Sequence, residues 1–112
     1  MQKITDMEEL FKYTQDKENF TTIITFYGRM DTIATEKVNS ALPASSEITN
    51  VDQAWKLKFD LAEVDYIASS FIRICVSHAK MAGPGNFSIM NCQPFVKKTF
   101  KITGLDDLLN II

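Results

Sequence analysis

Between Trp55 and Gly83 the apolar residues change their period, and that change constrains the fold more than any other feature of the chain. Trp55, Leu57, Phe59 and Leu61 alternate with Lys56, Lys58 and Asp60, the period of two expected of a strand whose faces differ. From Phe71 onward Ile72, Cys75, Val76 and Ala79 recur at intervals of three and four, which is a helix stripe. Arg73, Ser77 and Lys80 fall largely off that stripe. Gly83 and Pro84 stop the helix, one by admitting a left-handed turn and the other by ring clash. The short polar run Ala68-Ser69-Ser70 joins the two elements, and a helix start exposes backbone amides that nothing within the helix can satisfy. Any function legible in the sequence lies at this join.

Upstream, residues 1–9 are polar and acidic and read as a loose extension or a short helical turn. Leu10 to Thr14 reads as a first strand and Gln15 to Asn19 as a charged turn. Phe20 to Tyr27, rich in Thr, Ile and aromatics, reads as a second strand, so that the pair forms a hairpin. Gly28 permits a tight exit. Asp31 or Thr32 can cap the following helix, whose apolar face is Ala34, Val38, Ala41 and Leu42, with Pro43 as its terminator. Ala44 to Gln53 has no period and reads as a loop.

Downstream, Asn86 to Cys92 reads as a strand with Phe87, Ile89 and Asn91 on one side and Ser88, Met90 and Cys92 on the other. Pro94 opens a helix without loss of a hydrogen bond. Phe95, Val96, Thr99 and Phe100 form its core edge, and Lys97, Lys98 and Lys101 suit its carbonyl end. Gly104 takes the left-handed closing position with Leu105 packing back. Leu108 to Ile112 is either a last short strand or a final turn. Strands alternating with helices imply right-handed crossovers and a mixed, mostly parallel sheet with at least one well-covered face.

With 112 residues the chain has room for one domain and its core. Its apolar fraction of 46% and charged fraction of 23% are those of a folded globule rather than a disordered segment. A net charge of −2 with no basic stripe argues against a nucleic-acid binder. No apolar run approaches the roughly 18 residues of a membrane span, and the N-terminus lacks the apolar segment of a signal peptide. The expected location is the cytoplasm. Cys75 and Cys92, 17 residues apart, match no metal or redox spacing and read as two inert core thiols.

With only four glycines the chain has no phosphate-binding Gly-rich loop, and neither Ser69 nor Ser70 sits in a nucleophile elbow. His78 has no acid partner nearby in sequence and reads as a boundary residue. No catalytic, cofactor-binding or metal site is therefore expected. Asp60, Glu63 and Asp65 read first as a solvated loop and otherwise as the polar rim of a binding surface. One of the serines at the helix start has the structural task of capping the first turn. The other is spare, and its hydroxyl stands where open amides stabilise a phosphate dianion.

Phe26-Tyr27-Gly28-Arg29-Met30-Asp31, followed by a helix, resembles the G-R-L-D segment of the STAS domain, the module of anti-sigma factor antagonists and of sulfate-transporter tails. Asp60 to Phe71 resembles that family's D-L-S-x-V-x-x-I-D-S-S-G segment, and Val96 to Leu105 its V-x-x-x-L-x-x-x-G-L. The likeness covers residues 10–112 as a single domain. It implies a STAS-like α/β fold: a mixed, mostly parallel sheet of about five strands with flanking helices. The family normally continues at about Ile112 into a last helix covering part of the sheet, which is expected to be either absent or truncated here; a sheet edge or face left uncovered would favour self-association.

The function implied is that of an anti-sigma factor antagonist, which binds an anti-sigma factor that is also a serine kinase and is switched off by phosphorylation. The phosphoacceptor of the motif falls on Ser69. Asp31, Ala68, Ser70 and Phe71 are the implied docking residues. Ala68 replaces the family's aspartate before the acceptor, and Phe71 replaces its glycine after it. The Phe71 ring either faces the core or forms a contact patch. The alternative is a constitutive accessory subunit of a membrane transporter or larger signalling complex, for which no acceptor geometry is needed.

Overall fold

The computed structural model describes residues 10–42 and 55–112. The expected extension at 1–9, the terminator Pro43 and the loop from Ala44 lie outside the described residues. Four strands form one sheet in the order β1-β2-β3-β4: β1 is Phe11–Asp16, β2 Thr21–Met30, β3 Lys56–Ile67 and β4 Phe87–Met90. The β1–β2 pair is antiparallel, and β2–β3 and β3–β4 are parallel. Among the described residues four helices accompany them: α1 Thr32–Ala41, α2 Ser69–Ala82, α3 Pro94–Thr103 and the single turn α4 Asp106–Leu109.

The hairpin turn is held by one carboxylate. Asp16 accepts hydrogen bonds from the side chain of Asn19 at 2.6 Å and from the amides of Glu18 and Asn19 at 3.1 and 3.2 Å. These bonds favour the charged form and lower its pKa. The second strand runs three residues beyond the expected end at Tyr27. Gly28 is therefore not an exit but a strand residue at an irregularity, with a φ of 89° that a side chain rarely adopts.

The third strand is also longer than the alternation suggested, continuing from Leu61 to Ile67. Asp60, Glu63 and Asp65 thus lie on a strand and not in a solvated loop, because the register shifts in the β2–β3 ladder break the period of two while the pairing continues. At its start, buried Trp55 donates its indole N–H to the Thr22 hydroxyl at 2.7 Å, satisfying two buried polar groups at once.

Phe26, Phe59, Phe71 and Phe100 are the largest side chains with no exposed surface. Phe26 meets Phe59 and Phe71 edge-on at centroid distances of 4.9 and 5.1 Å, and Phe59 meets Phe87 at 5.0 Å, separations at which aromatic rings attract beyond their burial. In α1 the buried residues are Thr35 and Val38, with Ala34 and Leu42 packed against the core. In α3 they are Val96 and Phe100, whereas Phe95, expected on that edge, is 60% exposed; it lies one residue before the buried stripe.

The expected fifth strand reduces to a stub. After α4, Ile111 makes one parallel bridge with Ile89, and the Ile112 amide donates to the Ile89 carbonyl at 2.9 Å. The segment is both of the alternatives left open, a turn and then a trace of strand, and it pairs with the outer edge of β4. Gly104 closes α3 in the left-handed conformation as expected, with φ 75°.

Candidate functional site

The carboxyl ends of β2 and β3 lie side by side, Met30 opposite Ile67, and each strand leads at once into a helix. The Ala68 amide donates to the Met30 carbonyl at 2.8 Å, which ties the start of α2 to the start of α1. Two helix N-termini thus open at one end of the sheet, where unsatisfied amides and the positive ends of two helix dipoles favour negative charge.

The two ends differ. At α1, Asp31 is the N-cap: its carboxylate accepts from the Ala34 amide at 2.9 Å. Arg29 stands beside it, Nε to carboxylate 3.9 Å, with its guanidinium 3.9 Å from the centre of the Tyr66 ring. At α2 the N-cap is Ala68, which has no side chain to offer. Neither serine caps the helix, contrary to expectation, because both have helical positions one and two residues past the cap. The Ala68 carbonyl accepts from Phe71 and Ile72, while the amides of Ser69 and Ser70 have no acceptor among the described residues.

The side chains at this opening also separate. Ser69 is exposed, and Ser70 is half-buried with its hydroxyl oxygen covered and unpartnered. Phe71 has no exposed surface, so it is not a contact residue of a docking surface. It faces the core because the third residue of this helix points onto Phe26, and it serves the site by anchoring the helix start. Asp31 and Ala68 are half-buried. Glu63 and Asp65 are exposed on the last part of β3 and rim the same end of the sheet. Asp60 is occupied, accepting from the Ala62 amide at 3.0 Å and the Asn91 side chain at 3.2 Å.

His78, Cys75 and Cys92 take no part in this opening. The His78 ring packs 5.5 Å from Phe59 and places Nδ1 2.9 Å from the Ile74 carbonyl. Burial lowers its pKa and the hydrogen bond opposes that shift, so the ring is neutral with Nδ1–H donating. Cys75 and Cys92 are both free. Burial pushes the Cys92 thiol up to about 11 against the pull of Lys97, and holds Cys75 well above the ordinary range; both remain thiols and poor nucleophiles.

The STAS domain model matches residues 12–112. The chain belongs to the STAS family. Two solved structures share its fold. The anti-sigma factor antagonist SpoIIAA in its unphosphorylated form superposes with a TM-score of 0.70 at 18% identity, covering 91% of this chain and 85% of that one. An anti-sigma factor antagonist from Mycobacterium paratuberculosis gives 0.70 at 15% identity, covering 92% and 86%. No curated protein sequence matches.

This STAS domain therefore has the α/β architecture expected, with four strands among the described residues rather than about five. The family is non-catalytic. Among the described residues no three His, Cys, Asp or Glu side chains could together hold a metal ion, and no helix is long and apolar enough to cross a membrane.

Two features escaped the sequence reading. The Arg29–Tyr66 stack joins residues 37 positions apart, which only the parallel register brings together. The second is a groove of about 300 Å³ between α1 and α2, lined in part by Thr35, Ser70 and Arg73. The Thr35 and Ser70 hydroxyl oxygens are covered and without partners, a condition that costs about 1–3 kcal/mol per group. The i, i+4 spacing of α1 and α2 is a signal for their shared seam, but not for unpaired hydroxyls within it.

Proposed function

We propose that this STAS domain is a regulatory binding module of the anti-sigma factor antagonist type, docking an anti-sigma factor with serine kinase activity. Its contact surface is the paired helix opening: Asp31 on one side, Ala68, Ser69 and the half-buried Ser70 on the other, rimmed by Glu63 and Asp65. The observation that carries this reading is the exposed Ser69 at the first position of an uncapped helix, beside Asp31 and with free amides around it. A partner can approach that hydroxyl from solvent, whereas the Ser70 oxygen is covered.

The switch follows from the same geometry. The kinase transfers the γ-phosphoryl group of ATP: the Ser69 Oγ–phosphorus bond forms, the bond to ADP breaks, and the hydroxyl proton passes to a base of the kinase. The product adds roughly −1.5 to −2 charges at pH 7. The open amides of α2 stabilise that charge locally, while Asp31, Glu63 and Asp65 surround it with like charge. A surface that docks when neutral at this point is thereby altered where contact is made.

Incubation with the serine kinase encoded nearest to its gene, with ATP, should give a one-phosphoryl mass gain that Ser69→Ala abolishes and Ser70→Ala retains. Tight binding without any mass gain would remove the switch and leave the docking module, as a constitutive subunit requires. Absence of binding to any such kinase, with co-purification of transporter components instead, would overturn the antagonist reading.

A further inference from the structure

On α2 the residue one turn after Ser69 is Arg73, and both side chains are exposed. Residues four apart in a helix are neighbours, with Cβ atoms roughly 5–6 Å apart. Helical side chains also lean toward the N-terminus, so a long one covers the turn before its own Cα. Arg73 therefore reaches back over the turn that Ser69 begins, and it has no ion pair among the described residues. Other cations are placed differently. Arg29 is held between the Asp31 carboxylate and the Tyr66 ring, each 3.9 Å away. Lys37 lies in the second turn of α1. Lys80 comes about three turns after Ser69, roughly 16 Å along the helix axis. Arg73 is the cation that the helix itself aims at the Ser69 position.

We infer that Arg73 is the positioning residue for a phosphate on Ser69, its guanidinium pairing with the phosphate oxygens and folding the group back along α2. The inference rests on the phosphorylation of Ser69 proposed above and adds to it the residue that decides where the new charge points. Asp31, Glu63 and Asp65 stand on the strand side of the opening and repel a dianion, whereas Arg73 stands on the helix side and attracts it. The phosphate is thereby turned away from the acids and laid against the solvent face of α2. Ser70, three residues before Arg73, shares the neighbourhood, but its oxygen is covered. The pair also changes what a partner meets. Phosphorylation withdraws two groups from the docking surface, the Ser69 hydroxyl and the free guanidinium of Arg73, where the added charge alone would withdraw one.

The test incorporates phosphoserine in place of Ser69 during translation of the full chain, so that no kinase is needed. The phosphorus resonance of that single group is then followed through its second ionisation, which in a free phosphoserine lies near pH ~6. In Arg73→Gln the apparent pKa should lie about half a unit above that of the chain with Arg73, the shift an exposed ion pair supports. The difference should shrink as salt is added. Arg73→Lys should recover part of the shift, as a point charge without the guanidinium fork, and Lys80→Gln should leave it in place. A purely structural Arg73 would change the melting temperature of the phosphorylated and unphosphorylated chains alike and leave the titration unmoved. Equal titrations with and without Arg73, or an equal response to Lys80→Gln, overturn the inference. Because translation supplies the phosphate, a kinase that fails to label Ser69 would count against the proposed switch alone and would not alter this titration.

Discussion

Two helices of this STAS domain begin at neighbouring points of the same sheet end, and they are started by different means. The first is closed by its own sequence: Asp31 supplies an oxygen to the Ala34 amide, and Arg29 stands against the carboxylate. The second begins at Ala68 with nothing to offer the amides that follow, and is fixed instead from below by the buried Phe71 ring against Phe26. A helix start held by a polar cap is locally complete, whereas one held by a buried ring keeps its backbone donors available to something outside the chain. The difference teaches where a partner, or a phosphoryl group, can gain most at least structural cost.

If that contrast is correct, the largest effect should come from the anchor of the open helix. Phe71→Ala should lower stability by about 3–5 kcal/mol, the range for truncating a buried phenylalanine, measured as a fall in the urea midpoint at unchanged m-value. A loss smaller than that of the Asp31 variant would reverse the comparison. Asp31→Ala should cost about 0.5–2 kcal/mol through loss of the cap. Ala68→Asp should act in the opposite direction, stabilising by about 1 kcal/mol, because it supplies the missing oxygen at the one helix start that lacks it. An unchanged midpoint in Ala68→Asp would mean that the α2 amides are already satisfied and that the open end is not open.

The alternation and the helix stripe between Trp55 and Gly83 made both the sheet and its parallel order legible, because side-chain period reports directly on which face is buried. The Asp31 cap was legible for a similar reason: short-range capping chemistry is written in adjacent residues. Three features were not. The length of β3 was hidden by the register shifts opposite Gly28, which put Glu63 and Asp65 on a strand while breaking the alternation that identifies one. The Ser69-Ser70 pair suggested a cap that the backbone places one residue earlier, at Ala68, because the strand ends at Ile67 and leaves a single residue for the turn. The place of Phe71 was open between core and surface until the partner ring, Phe26, was known, and a contact across 45 residues has no local signature. The resemblance to the family agreed with the topology read from the order of strands and helices, while the chemistry of the opening depended on the two positions where this chain departs from it.

The contrast between the helices extends to their response to acid, where the smallest effect is expected. The chain's one histidine lies on α2, packed on Phe59, and burial holds its folded-state pKa below the unfolded value of 6.5. Below pH 6.5, and down to that folded value, the unfolded chain binds the proton that the folded chain refuses. Stability is therefore fully present above pH 6.5 and falls as pH is lowered through this window, since the slope follows the excess of protons bound by the unfolded state. Asp16 also has a lowered pKa, but as a carboxylate its contribution is lost only at more acidic pH, below its ordinary value of 3.8. Urea midpoints taken from pH 7.5 to 5 should consequently decline in the wild type and decline less in His78→Gln. Equal slopes in the two proteins would show that the α2 histidine is not buried against Phe59 as described, and would remove the protonation difference between α2 and α1 while leaving the cap difference untouched.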